Sequence, residues 1–195
     1  MTFESSYTIS TENRKIIPES GVNFMKKLLP LVLMLTLVAC QSESRSRQDP
    51  LKFIELVTPT GESIETTLAF LSKDQEQGLS GVRPEDFRDN QGMLFFYLGD
   101  DEKNFWMPDT YFDLDLFYLD KDLRIIDIVR KLPHYVGRAN PQLIPRARGI
   151  WCRHTLEMKS SSQVAEKLKV GDVLKWKSKL SLNETESKVK TLLQK

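Results

Sequence analysis

The sequence predicts a mainly β fold, a compact β-sandwich carrying two short helices. Three observations lead there. Apolar runs of strand length, rich in β-branched and aromatic residues, recur along residues 51–179 and are separated by Gly, Pro and Asp clusters. Helical signals are confined to two brief segments. The stretch 92–120 sets two dense apolar runs around Phe105, Trp106 and Met107 and places Asp113 and Asp115 inside an otherwise apolar strand. Carboxylates in such a strand need a reason, because a buried charge without a partner is costly.

The elements follow in order. Residues 52–57 and 63–71 read as a hairpin turned by Thr58-Pro59-Thr60-Gly61. Ser72 with Gln75 gives a capping-box signature for a helix over 73–79, which Gly78 and Gly81 end. Arg83-Pro84-Glu85-Asp86 is a turn or a single helical turn. Residues 92–98 form a strand closed by Gly99-Asp100-Asp101. Residues 114–119 and 123–129, joined by Asp120-Lys121-Asp122, are the clearest hairpin, and their continuous apolar character predicts two central strands covered on both faces. Residues 131–149, with three prolines, read as a long surface loop. A strand over 150–158, a helix over 160–168 and a last strand over 173–176 complete the domain, and the polar tail 180–195 is expected to stay outside the core.

Composition bounds the function. A chain of 195 residues, 40% hydrophobic and 28% charged, suits one globular domain, and a net charge of +1 gives no pull toward nucleic acid. Phosphate loops, dinucleotide fingerprints and a serine nucleophile elbow are absent from the sequence. The histidines, His134 and His154, belong to no ligand-spaced set, so neither metal nor cofactor is expected. Asp100-Asp101-Glu102 lacks the alternation of a calcium loop.

An address precedes the domain. At Met25, Lys26 and Lys27 open a basic region, residues 28–38 are apolar, and Leu37-Val38-Ala39-Cys40 follows. The last four residues match the lipobox of bacterial lipoproteins. That resemblance implies a signal peptide over 25–39, acylation of Cys40, and a membrane-anchored domain on a flexible tether over 40–50. Residues 1–24 then read as an extension upstream of the true start. Gln41 stands where inner-membrane lipoproteins of enteric bacteria often carry aspartate, so the same resemblance implies the outer membrane, facing the periplasm. With Cys40 modified, Cys152 has no disulfide partner and reads as a buried thiol; a nucleophile there would need His154, two residues on, the one local base. The basic residues Arg138, Arg146, Arg148 and Arg153 mark a surface suited to anionic headgroups or acidic polymers, or an ordinary solvated loop.

Gly78-Leu79, Arg83, Gly92-Met93-Leu94-Phe95, Phe105-Trp106-Met107 with Thr110, Leu114-Asp115, Asp120, Leu156-Glu157 and Gly171-Asp172 stand in the order and at about the spacing of a bacterial and archaeal family, domain of unknown function 192. The chain resembles that family over most of the mature domain. The resemblance implies a β-sandwich of jelly-roll type, often exported, and no particular reaction. Two positions depart from the pattern. Asp109 stands where the family usually shows asparagine, and Asp113 where it shows proline.

The candidate binding residues are Arg83, Met93, Trp106, Met107, Thr110, Asp115 and Glu157. Period two puts Asp113, Asp115 and Phe117 on one strand face, with Arg83 and Thr110 the natural partners of a buried Asp115. An aromatic wall with a few fixed polar groups suits a small polar or glycan-like ligand, and this non-catalytic binding role is the leading expectation. The alternatives are plain core packing around a structural ion pair, a hydrolase pairing Asp115 with Glu157, and a structural or assembly partner in the envelope.

Overall fold

The computed structural model describes residues 49–194. Cys40, the signal segment, the upstream extension and most of the tether lie outside them. The fold is mainly β, as the sequence predicts. β1 (Phe53–Val57) and β2 (Ser63–Ala69) form the first hairpin, and after α1 (Ser72–Gln77) and a 3-10 turn at Pro84–Asp86, β3 (Gln91–Phe95) runs parallel to β2. β4 (Asp101–Lys103), β5 (Leu114–Leu119) and β6 (Ile125–Leu132) follow, then a 3-10 turn at Pro141–Leu143, β7 (Ile150–Cys152), β8 (His154–Lys159), α2 (Gln163–Lys167), β9 (Lys175–Lys177) and α3 (Leu182–Leu193). Seven strands make one mixed sheet in the order β6-β5-β8-β3-β2-β1-β9, while β4 and β7 pair as a small second sheet.

Pairing register divides the large sheet into two faces. Between β5 and β8, Asp115 lies opposite Met158 and Leu116 opposite Glu157. Opposed residues point the same way and successive residues alternate. One face therefore carries Asp115, Phe117, Leu119, Leu156 and Met158; the other carries Leu114, Leu116, Tyr118 and Glu157. The first is closed by α2, α3 and the approach to β9, through Ala165, Leu168, Leu174 and Val189. The second is closed by loops and the small sheet, through Leu79, Phe105, Met107, Ile144, Ile150 and Cys152. All six residues of β5 are buried, as a strand covered on both faces must be. Gly92, on β3, is there because a Cβ would come within 2.7 Å of Leu156 Cδ1 and 3.1 Å of Ile64 Cγ2.

Several expectations are corrected. β6 is an edge strand, not a central one, and its outward residues reach solvent. The apolar run 150–158 is two strands, because Arg153 interrupts it and pairs with Asp100 and, at 3.5 Å, Glu186. The expected turn at Asp101 instead begins β4. Ser72 caps nothing: Leu71 is the N-cap residue, and the Gln75 amide donates to the carbonyls of Ala69 and Phe96, tying α1 to the sheet.

The C-terminal segment is the largest departure. Ser181 and Glu184 form a reciprocal capping box, and α3 buries Thr185 and Val189 completely. The core thus extends past residue 179, and the described residues hold a third helix longer than the two predicted. A polar composition hid this, since one apolar residue per turn suffices to dock a helix whose other faces are solvated. Val189→Ala is expected to cost about 1–3 kcal/mol in urea unfolding, the range for a buried aliphatic truncation; a change within experimental error would mean that α3 does not contribute to the core.

Candidate functional site

The second face carries an opening. A cavity of about 110 Å³ lies between α1 with the loop that follows it, the segment from Asn104 to Thr110, and the sheet. Trp106, Met107, Thr110 and Glu157 line it, four of the seven predicted residues. Phe95, Tyr97 and Phe105 add aromatic wall, and Ser80 and Asn104 add polar groups that the candidate set lacked. The run Phe105-Trp106-Met107 works by alternation: Phe105 and Met107 are buried in the second core, whereas Trp106 between them is 43% exposed at the rim. Arg146 lies over the Trp106 ring at 5.1 Å, and Lys103 over Tyr97 at 3.8 Å.

Glu157 gives this cavity its chemistry. The residue is 4% exposed, between Met93 on β3 and Leu116 on β5. Burial alone pushes its carboxyl up to about 8, because no hydrogen bond or neighbouring charge offsets the loss of water. Its near neighbours are held neutral as well. Tyr97 and Tyr118 are both raised by burial and then by the charges of Glu157 and Cys152, and the Tyr118 hydroxyl is buried without a hydrogen-bond partner.

Asp115 belongs elsewhere. It sits on the opposite face, 3% exposed, and accepts from Arg130 Nη1 at 2.6 Å, the Lys131 amide at 2.8 Å and Ser160 Oγ at 2.7 Å. Arg130 also donates to the carbonyls of Ala165 and Leu168, so the pair fastens β6 to the end of α2. The expected partner, Arg83, instead stacks on Tyr111 at 4.1 Å, and Thr110 donates to Pro108 O at 3.3 Å. Met93 packs against the second core without lining the cavity. Asp115 and Glu157 therefore do not converge, and the paired-carboxylate arrangement a hydrolase would need is not formed.

The other sequence candidates are structural. His134 Nδ1 lies 2.6 Å from Asp113 and holds that carboxyl below its usual range. Asp109 has φ +51°, where a short polar side chain is tolerated, and its carboxylate accepts from the Gly137 amide; asparagine would serve equally, which accounts for that departure from the family pattern. Burial raises the Cys152 thiol, and His154 does not face it: His154 stacks on Phe96 at 4.5 Å, its Nδ1 accepts from the Tyr97 amide, and burial lowers it to about 3. Arg148 is paired with Asp127 at 2.6 Å, so the predicted basic surface is partly neutralised. Among the described residues no cluster of His, Cys, Asp and Glu could hold a metal ion.

No curated protein matches the chain. Among solved structures, a protein of unknown function from Novosphingobium aromaticivorans is 23% identical over 64% of this chain and 84% of that one, with a TM-score of 0.51, which shows a shared fold. A Sinorhizobium meliloti protein whose description assigns it only provisionally to transcription regulation is also 23% identical, over 64% of this chain and 92% of that one, with a TM-score of 0.49. The model of the family described as uncharacterized ACR, domain of unknown function 192, matches residues 55–176, from β1 through most of β9, and the chain belongs to that family.

Proposed function

We propose that the protein is an envelope lipoprotein, held to the membrane through Cys40, whose domain is a non-catalytic module binding a small polar or glycan-like ligand in the Glu157 cavity. One observation carries the binding role: a carboxyl that is almost wholly buried and unpartnered lines an aromatic cavity with an exposed tryptophan at its rim. A group whose only task were structural would be paired, as Asp115 is. The anchor rests on the sequence around Cys40. Among the described residues no helix is long and apolar enough to cross a membrane.

The test uses the full chain purified in detergent and a thermal-shift screen against envelope sugars and peptidoglycan fragments. A ligand near a hundredfold excess over its Kd should raise the Tm by about 5–10 °C. Trp106→Ala, at an exposed rim, should cost less than about 1 kcal/mol of stability while removing the shift. A screen in which no compound moves the wild-type Tm would overturn the binding role. For the anchor, Cys40→Ser should move the protein from the membrane pellet to the soluble fraction.

A further inference from the structure

The lining of the cavity is uneven in its hydrogen bonding. The Gln75 amide gives both its protons to backbone carbonyls and the hydroxyls of Ser80 and Thr110 give their one, so these three present lone pairs to a ligand, while Gln77, with one amide proton committed to Ser80 O, offers a lone pair and one donor. Two carboxyls, Glu76 at the edge and Glu157 within, add further acceptors, and among the described residues no lysine, arginine or histidine lines the space. Phe95, Tyr97, Phe105 and Trp106 supply ring faces and edges. Cations already rest against two of these rings from outside the cavity, Lys103 on Tyr97 and Arg146 on Trp106. Acceptors, rings and an unpaired acid together ask for a group that donates several hydrogen bonds and carries positive charge.

We infer that the cavity takes the ammonium group of an organic primary amine, with Glu157 as its counter-ion and the aromatic wall against its carbon chain. This rests on the binding reading above and names the class of ligand. The amine keeps its proton on binding, while Glu157 gives its own to solvent, so one proton is released per ligand bound below the titration of the acid. The titratable groups around Glu157 are Tyr97 after β3 and Tyr118 on β5, with Cys152 on β7 beside those tyrosines and Glu76 from α1 in the cavity lining. The tyrosines and the thiol are all raised by burial and stay neutral below pH 8.5.

The probe is n-butylammonium, with 1-butanol as its neutral counterpart and N-acetylglucosamine as a neutral sugar. Calorimetric titration of the full chain in detergent runs from pH 6 to 8.5, where this amine stays protonated. The affinity for butylammonium should rise about tenfold per pH unit up to about 8 and then level off, while butanol binds at least tenfold more weakly at pH 8. Glu157→Gln, nearly the same shape, should lose the pH dependence and most of the affinity. Trp106→Ala, at the rim, should weaken binding with the pH profile kept. If butanol or N-acetylglucosamine binds as well as the amine, or if the amine binds with a flat pH profile, the assignment to an ammonium group is wrong and the cavity serves a neutral ligand. If none of the three binds, and the sugar and peptidoglycan screen is also silent, the binding role itself falls.

Discussion

Asp115→Ala lowers the free energy of unfolding by about 3–5 kcal/mol, the range for breaking one side of a buried ion pair. The alanine removes the acceptor of three donors, Arg130, the Lys131 amide and Ser160. Arg130 is 35% exposed, so part of its charge can be rehydrated and the effect should fall toward the lower end. Asp115→Asn keeps the shape and the acceptor oxygen and should cost about 1–3 kcal/mol. Urea unfolding at neutral pH measures both, and an alanine variant as stable as the wild type would show that the network contributes nothing. Ligand binding at the cavity should survive in whatever fraction of Asp115→Asn stays folded, because the two sites lie on opposite faces of the sheet.

The second large effect appears against pH. The Glu157 carboxyl moves from 4.5 in the unfolded chain to about 8 in the folded protein, so between those values the folded state binds more protons than the unfolded state. Stability is therefore highest below pH 4.5, falls as pH rises at up to about 1.4 kcal/mol per unit, and levels off above pH 8. The full loss is on the order of 5 kcal/mol. Glu157→Gln removes this contribution, so the two proteins should be close in stability near pH 4.5, with the variant ahead by several kcal/mol near pH 8. Chemical denaturation of both across that window isolates the group from every other titration, and parallel curves would mean that the carboxyl is solvated.

Much of this architecture can be read from residue patterns. The hairpin of β5 and β6 was plain because its turn, Asp120-Lys121-Asp122, is polar between two apolar runs, and the cluster at Phe105 to Met107 marked the cavity wall. What stayed hidden depended on pairing rather than on pattern. Register shifts along β5 and β6 bring Arg130 and Lys131 opposite Asp115, where uninterrupted pairing back from Leu119 and Ile125 would set Val129 there. Counting along the hairpin would have brought attention near Arg130; nothing local supported Arg83. The edge position of β6 was equally out of reach, since an apolar strand at an edge and one at the centre differ only in what lies beside them. Glu157 was legible as a candidate but not as the leading one. Its lack of an opposing charge among the described residues is a fact about neighbours contributed by separate segments.

The placement of the two acids also bears on how the chain finds its register. A slip of one residue by β8 would turn Glu157 into the helix-covered core and push Leu156 and Met158 toward the cavity; the same slip by β5 would strip Asp115 from Arg130 and drive it among the aromatic rings. Each error strands a carboxylate against hydrocarbon. A sheet whose central strands are apolar on both faces would otherwise tolerate such slips, because one aliphatic side chain replaces another. Asp115 and Glu157 thus serve as two independent proofreading marks on adjacent strands, and a chain lacking both should refold to a mixture of pairings even where each single variant refolds to one.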